Sequence, residues 1–181
     1  MQENNKIKIA VSSCLLGEAV RYDGTDKHIH YITEHLAKEY NLISICPEIA
    51  IGMGVPRPPI HLIDNGKSIN AVGVENPETN VTDDLSGYGK TIQQLHPELC
   101  GYIFKKNSPS CGPANVKVMN PESGEYELRG QGIYVSAIRK YFSGLPIIDE
   151  EDLFDTRKRD EYLNRVDKYS GGKYSQLGTK L

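Results

Sequence analysis

The sequence is poor in cysteine and has no apolar run long enough to cross a membrane. It has four cysteines among 181 residues, and no two of them are spaced as Cys-x-x-Cys. Zinc ribbons, thioredoxin-type redox sites and ferredoxin-type cluster motifs share that spacing, so these classes are excluded. Any metal site must be assembled from distant parts of the chain. Because a membrane span needs about 20 apolar residues in a row, no membrane partner is expected.

The sequence also lacks a strong charge of either sign. Its net charge is −3, and its lysines and arginines are scattered, which argues against a broad binding surface for a large nucleic acid. The polar start, Met-Gln-Glu-Asn-Asn-Lys, lacks the apolar centre of a signal peptide. These features predict a cytoplasmic protein, in which cysteines are thiols rather than disulfides.

Short apolar runs alternate along the chain with segments of helical periodicity. Such alternation predicts a parallel sheet with helices on its faces. The predicted strands lie at 9–11, 42–46, 101–104 and 146–148, and the predicted helices at 29–40, 82–99 and 133–142. We therefore expect an α/β protein with a Rossmann-like three-layer fold and a short, mainly parallel sheet.

Two other segments, 60–73 and 116–128, predict β-hairpins inserted into this fold, because each has strand-like residues on both sides of a turn. The length favours a single domain, which we place at residues 1–153. Residues 154–181 are predicted to form a charged C-terminal extension with a helix near 157–168. The final dozen residues of that extension are expected to be loosely held.

Three of the cysteines follow predicted strands. Cys14 lies just beyond the first strand, Cys46 ends the second, and Cys111 lies in the loop after the third. Ligands of parallel sheets bind beyond the carboxyl ends of the strands, and neighbouring strands are about 4.8 Å apart, so three loops can converge there. Cys100 precedes its strand and is expected to be an ordinary buried thiol. The sequence thus predicts a site with three thiols.

The loop that carries Cys111 is unusually rigid in composition. Lys-Lys-Asn-Ser-Pro-Ser-Cys-Gly-Pro, residues 105–113, follows the buried run Gly-Tyr-Ile-Phe. Its two prolines fix the backbone φ angle and remove two amide donors, which favours a stiff loop over a mobile one. A stiff loop at the end of a buried strand is well suited to present a ligand.

Three converging thiols are compatible with several chemistries. A zinc site would need a fourth ligand or a water molecule, and a nucleophilic cysteine would need a histidine base. None of the five histidines lies in a loop beside these cysteines. A four-iron, four-sulfur (4Fe-4S) cluster suits soft thiolate ligands, and with three of them one iron would stay open. A dinucleotide site at Gly52-x-Gly54 is disfavoured, because the third glycine is missing.

Seven short motifs in the same order make the chain resemble a known family. This family is a small bacterial domain, long catalogued as of unknown function, that includes thiouracil desulfidases. The resemblance covers residues 9–153. The motifs are Ser13-Cys14-Leu15-Leu16-Gly17 with Arg21-Tyr22-Asp23-Gly24, Cys46-Pro47-Glu48, Gly54-x-Pro56-Arg57-Pro58-Pro59, Val81-Thr82-Asp83, Lys106-x-Ser108-Pro109-Ser110-Cys111-Gly112 and Gly130-x-Gly132.

The resemblance implies an oxygen-sensitive 4Fe-4S cluster held by Cys14, Cys46 and Cys111, with one open iron. The substrate would be a small thiolated pyrimidine, similar to thiouracil, whose sulfur the open iron takes. Cleavage of the carbon–sulfur bond would be hydrolytic, without net redox change, so that water replaces sulfur and sulfide leaves.

The resemblance also assigns catalytic roles to Glu48 and to a serine of the Cys111 loop, Ser108 rather than Ser110. Water that attacks a thiocarbonyl carbon needs a base, and Glu48 lies two residues beyond Cys46. The alternatives are a carboxylate at a helix start for Glu48 and a turn-forming hydroxyl for Ser108.

Contacts with the substrate are expected from four residues, which are Ser13, Arg21, Arg57 and Ser110. The two arginines could bind a pyrimidine oxygen or a cluster sulfide, or could instead pair with a buried carboxylate. Ile60-His61 stands where family members often carry a carboxylate.

Two other functions would keep the cysteines, namely a sulfide carrier without thiobase turnover and a binding module with a structural metal.

Overall fold

The computed structural model describes residues 6–174, whose strands form two four-stranded sheets. The strands are β1 (Lys8–Ser12), β2 (Asn41–Ile45), β3 (Ile60–Asp64), β4 (Ile69–Gly73), β5 (Gly101–Phe104), β6 (Val116–Met119), β7 (Tyr126–Gly130) and β8 (Ile147–Asp149). A π-helical turn, Ile32–Leu36, continues into α1 (Ala37–Glu39), and the other helices are α2 (Pro47–Ala50), α3 (Thr82–Leu95), α4 (Ile133–Tyr141) and α5 (Thr156–Tyr174). Ser13–Leu16 and Asp152–Phe154 are short 3₁₀ helices.

The first sheet is parallel throughout, in the order β2-β1-β5-β8. It confirms the four strands predicted from the apolar runs. Side chains of a strand alternate between the two faces, and in β1 Ile9 and Val11 pack on one face while Ala10 packs on the other. The first face lies against the π-helical turn and α5, and the second against α3 and α4. The result is the expected layer of sheet between two layers of helix.

The second sheet joins the two predicted hairpins. β3 pairs with β4 and β6 pairs with β7, both antiparallel, and a parallel pairing of β3 with β6 unites them in the order β4-β3-β6-β7. Its inner residues, Leu62, Ala71, Val116 and Val118, belong to the same apolar cluster as α3 and α4. The hairpins were expected as separate insertions, and their union depends on contacts between distant segments that no local pattern encodes.

Two helices differ in length from their predicted ranges. α3 ends at Leu95 rather than near Leu99, because Pro97 disfavours the helical conformation for the residue before it. His96 accordingly has φ −132° and ψ 56°. α5 is longer than the predicted helix near 157–168, and Tyr162 and Val166 bury its inner side against the parallel sheet.

The two ends of the chain, about which the sequence made predictions, are described only in part. Most of the polar start and residues 175–181 lie outside the described residues, and so does part of the final dozen. Within residues 6–174, no helix combines the length and apolar character needed to cross a membrane.

The packing of α3 against α4 depends on a glycine. A Cβ atom added to Gly89 would lie 2.5 Å from the Cβ of Ala137, which is closer than two carbon atoms can pack. Gly87, one half-turn away on the exposed side of α3, has nothing within 4 Å of such an added Cβ. The two glycines therefore offer a matched pair in one helix.

We predict opposite effects of the same substitution at these positions. Gly89→Ala should lower the free energy of unfolding by about 1–3 kcal/mol, since the added methyl overpacks the helix contact. Gly87→Ala should raise it by up to about 1 kcal/mol, since alanine favours the helix and meets no neighbour. Denaturant titration of both variants measures the difference, and equal stability of the two would contradict the close helix packing.

Candidate functional site

The carboxyl ends of β1, β2 and β5 bring three cysteines to one edge of the parallel sheet. The chain passes from β1 to β2 on one side and later returns to β5 on the other side of β1. This reversal is the topological switch point at which open parallel sheets bind ligands. Cys14 lies in the 3₁₀ helix after β1, Cys46 directly follows β2, and Cys111 lies in the loop after β5.

A cavity of about 370 Å³ opens between these loops. Its lining contains all three cysteines and every predicted site residue except Ser110, which is fully buried behind the wall. The other lining residues used below are Ser12, Val20, Tyr22, Pro58, Pro59, Ile60 and Lys105. The structure therefore brings together the residues that the sequence motifs had singled out.

Burial keeps the three thiols neutral. It raises the pKa of Cys14 to about 11, against the opposing effect of the Lys105 ammonium. Burial is also the main cause of the raised pKa of Cys46. The pKa of Cys111 lies well above its ordinary value, through burial first and then through Glu48 and the other two thiols. A metal that binds thiolates here must displace their protons.

The soft donors that line the cavity are the three thiols. Within residues 6–174, no three His, Cys, Asp or Glu side chains are grouped closely enough to hold a single metal ion. No histidine lines the cavity, so the described geometry gives the thiols no imidazole base. Thiols are soft donors of the kind that iron–sulfur clusters take, so the three cysteines that line the cavity are compatible in ligand type with a 4Fe-4S cluster.

Hydrogen bonds within the Cys111 loop fix its shape. The hydroxyl oxygen of Ser108 accepts the backbone N–H groups of Ser110 at 3.2 Å and Cys111 at 3.0 Å. The carbonyl of Ser108 accepts the N–H of Gly112 at 2.8 Å. Ser108 thus has the turn-forming hydroxyl that the sequence analysis gave as the alternative to a catalytic role. Its own hydroxyl proton is still available to the cavity that it lines.

The amino end of α4 holds this loop in place through hydrogen bonds. The N–H groups of Gly132 and Ile133 donate to the carbonyls of Gly112 at 2.8 Å and Pro109 at 3.0 Å. A Cβ at Gly132 would lie 2.3 Å from the carbonyl oxygen of Ser110. Only glycine therefore allows the helix end to approach the loop, which gives a physical role to the Gly-x-Gly motif.

Glu48, at the start of α2, lies in a network of hydrogen bonds. Its Oε1 accepts the hydroxyl of Ser110 at 2.7 Å, and its Oε2 accepts Nε of Arg57 at 2.9 Å together with Nη2 of the same guanidinium. Both partners are buried. The carboxylate lines the cavity with Cys46 and Cys111, so it can act on a molecule held beside the thiols.

Ser13 and Arg21 occupy the wall nearest Cys14. The Ser13 hydroxyl is 2.7 Å from that of Ser44, which also contacts the Glu18 carboxylate. Arg21 donates to the Thr25 hydroxyl at 2.8 Å, and it lines the cavity. Its role in binding substrate stays a prediction, as do those of Ser13 and Ser110.

Sequence reasoning did not predict Ser12 and Lys105, which line the cavity, or Glu150, which contacts Lys105 from outside the lining. The Ser12 hydroxyl accepts the N–H of Lys105 at 3.1 Å and contacts the Cys111 thiol, so it ties the end of β1 to the loop after β5. The Lys105 ammonium donates to the buried Glu150 carboxylate, beyond β8. The only sequence signal for Ser12 is its place beside Ser13-Cys14, and Glu150 has none.

Cys100 lies at the opposite end of the sheet, as predicted. It precedes β5, its backbone N–H donates to the carbonyl of Lys8 at 2.9 Å, and its side chain is fully buried. Its thiol donates to the carbonyl of Glu98 at 3.2 Å. This position keeps it away from the other cysteines.

Known proteins resemble this chain over most of its length. The 2-thiouracil desulfurase family model matches residues 9–151. The uncharacterized protein YbbK of Bacillus subtilis (strain 168) is 29% identical over 160 residues, covering 81% of this chain and 98% of that protein. The solved structure of the 4Fe-4S-dependent thiouracil desulfidase TudS matches with a TM-score of 0.65 and 28% identity, covering 83% of this chain and 95% of that chain. The predicted α/β fold class is confirmed by this likeness.

The contact between α4 and the Cys111 loop leads to a prediction on thiol exposure. Gly132→Ala should push the Ser110–Cys111 peptide outward and raise the alkylation rate of Cys111 in the metal-free protein by about tenfold, the factor that 1.4 kcal/mol of local destabilisation produces. Mass spectrometry after iodoacetamide treatment measures the rate. The control, Gly87→Ala, should leave it unchanged, and an unchanged rate in Gly132→Ala would contradict the proposed support.

Proposed function

The chain belongs to the 2-thiouracil desulfurase family, and on that premise we propose that it is an iron–sulfur-dependent desulfidase that hydrolyses a thiolated pyrimidine. The observation that carries the proposal is the cavity in which Cys14, Cys46 and Cys111 lie beside Glu48. The membership confirms the resemblance seen in the sequence. The neighbouring structure is titled as 4Fe-4S-dependent, which supports the same cofactor here.

Cys14, Cys46 and Cys111 would hold the cluster as thiolates. Each comes from a different strand end and each lines the cavity. When bound, a 4Fe-4S cluster with three protein ligands would leave one iron as a Lewis acid for the sulfur of the substrate. The protein's own part is to remove water from the thiols and to keep their side of the cavity closed by the stiff Cys111 loop.

Glu48 would act as the general base. Hydrolysis requires that a water molecule lose a proton as its oxygen bonds to the thiocarbonyl carbon. Within residues 6–174, Oε1 of Glu48 accepts one hydrogen bond, from Ser110, and a carboxylate oxygen can accept a second. A water molecule in the cavity can therefore donate to Oε1. The Ser108 hydroxyl, which lines the same cavity, would donate to that water or to the substrate.

The rest of the cavity suits a small planar ring. The whole cavity, including the space that a cluster would fill, has a volume of about 370 Å³, which falls within the range of small-molecule sites. Arg21, Tyr22 and the two prolines after Arg57 line it. We propose that Arg21 and Ser13 bind the polar edge of the pyrimidine. The presence of a carboxylate beside the thiols favours a hydrolase over a sulfide carrier, which needs no base.

We predict that substitutions of the ligand cysteines and of Cys100 have different effects on the iron and sulfide content of the protein. Anaerobic reconstitution should give nearly four irons per chain, and Cys111→Ser should lose most of the iron and sulfide. Cys100→Ala should keep both, with a stability loss of at most a few kcal/mol, because its thiol lies at the far end of the sheet. Iron and sulfide analysis measures the loading. Tightly bound zinc without inorganic sulfide would overturn the cluster, and loss of iron in Cys100→Ala would overturn the ligand set.

We predict that Glu48→Gln loads the cluster and binds thiouracil but turns it over about 10²–10⁴-fold more slowly. The amide can still accept from Arg57 and contact Ser110, but it cannot take a proton from water. Anaerobic assays of uracil and sulfide with 2- and 4-thiouracil measure the rate. Glu75→Gln, at an exposed loop position, is the control. A loaded Glu48→Gln protein with the unmodified rate would remove Glu48 from the mechanism.

A further inference from the structure

Arg57 is a buried cation whose role the proposed hydrolysis does not yet explain. Only 4% of its side chain is exposed, against 14% for the Glu48 side chain that it contacts. A charge withdrawn from water to this extent is retained only with good partners, because its desolvation costs several kcal/mol. The partners of the guanidinium therefore indicate what the residue does.

The guanidinium uses four of its five N–H groups within the protein. Nε and Nη2 both donate to Oε2 of Glu48, the first at 2.9 Å. Nη1 donates to the carbonyl oxygens of Val20 at 2.9 Å and Gly54 at 2.8 Å. These bonds fix the plane of the guanidinium on three sides. A lysine ammonium is a single point and cannot reproduce them.

This arrangement makes the two oxygens of Glu48 unequal. Oε2 receives two N–H donors from Arg57 and has its acceptor capacity filled. Among the described residues, Oε1 receives only the Ser110 hydroxyl, at 2.7 Å, and keeps one acceptor position. If the carboxylate could rotate, either oxygen could meet a water molecule; with Arg57 in place, Oε1 is the one left for it.

Arg57 also connects Glu48 to residues 20–22, which line the cavity. Its backbone N–H donates to the carbonyl of Tyr22 at 2.9 Å, while its side chain holds the carbonyl of Val20. Arg21, between these two residues, lines the cavity with Tyr22. The segment expected to contact the substrate and the carboxylate expected to act on water are thus fixed to one residue.

We infer that Arg57 is a positioning residue that aims Oε1 of Glu48 at the attacking water. The inference rests on the proposed hydrolysis, in which Oε1 takes one proton from water while the water oxygen bonds to the carbon. Arg57 exchanges no proton and does not need to touch the substrate. Its substitution should slow the chemical step without weakening binding of the substrate, because an error of about 1 Å in placement can cost about 10²-fold.

The test uses cluster-loaded protein and 4-thiouracil. Arg57→Ala should keep its iron and sulfide, lower kcat on the order of 10²-fold and leave KM nearly unchanged. Added guanidinium or methylguanidinium should restore part of kcat, since it can enter the space left by the side chain. An increase of KM at unchanged kcat would instead assign Arg57 to substrate binding and overturn the inference.

A double-mutant cycle separates positioning from a general structural role. In a Glu48→Gln background, Arg57→Ala should change kcat by no more than about twofold, because a residue that acts through Glu48 loses its effect when the base is gone. Guanidinium should then restore nothing. A full additional loss in that background would overturn the inference, whatever the effect of the single variant.

A second variant and a second measurement cover failure to fold or to load. If Arg57→Ala loses the cluster, the kinetic test is made with Arg57→Lys instead. A kcat of Arg57→Lys equal to that of the unmodified protein would overturn the inference. In metal-free protein, the unfolding midpoints of Glu48→Gln, Arg57→Ala and the double variant should be non-additive if the pair is coupled. Absence of thiouracil turnover in unmodified, fully loaded protein would overturn the proposed function itself.

Discussion

The site depends on the parallel alignment of β1 between β2 and β5. A parallel ladder places the carboxyl ends of all three strands at one edge, so loops that are far apart in the sequence meet without any local motif. The same alignment is held by the burial of Ile9 and Val11 on one face and Ala10 on the other. The stability of the sheet and the convergence of the cysteines therefore depend on the same strand register, and a shift in that register would lose both.

The cavity makes the stability of the metal-free protein depend on pH. It buries thiols whose neutral form is favoured and encloses an ion pair that has little access to water. A thiol with a raised pKa supports the fold while it is neutral: for Cys14 this contribution is full below about pH 9 and is lost as the pH rises toward about 11. A bound metal group would reverse this balance, because it binds the thiolates of the native state and so stabilises that state.

Sequence patterns predicted the elements better than their long-range partners. Strands buried on both faces give continuous apolar runs, so β5, buried along its whole length, was predicted with its correct limits. The pairing of β3 with β6 leaves no such trace, since each hairpin reads the same whether it stands alone or joins the other. The same holds at the site: the cysteines and Glu48 stand in recognisable motifs, but the contact of Arg57 with Glu48 and that of Lys105 with Glu150 are set by tertiary packing.

The second sheet has a consequence for the chemistry of the cavity. β3 begins at Ile60, directly after Pro58 and Pro59, and all three residues line the wall. Proline has no backbone N–H and the isoleucine side chain is apolar, so this wall offers a water molecule few hydrogen-bond partners. Polar partners stand elsewhere in the lining, among them Glu48 in α2, directly after β2, and Ser108 in the loop after β5. For the proposed hydrolysis, the carboxylate side of the cavity is therefore the better place for a water molecule, and the apolar side the better place for the face of a pyrimidine ring.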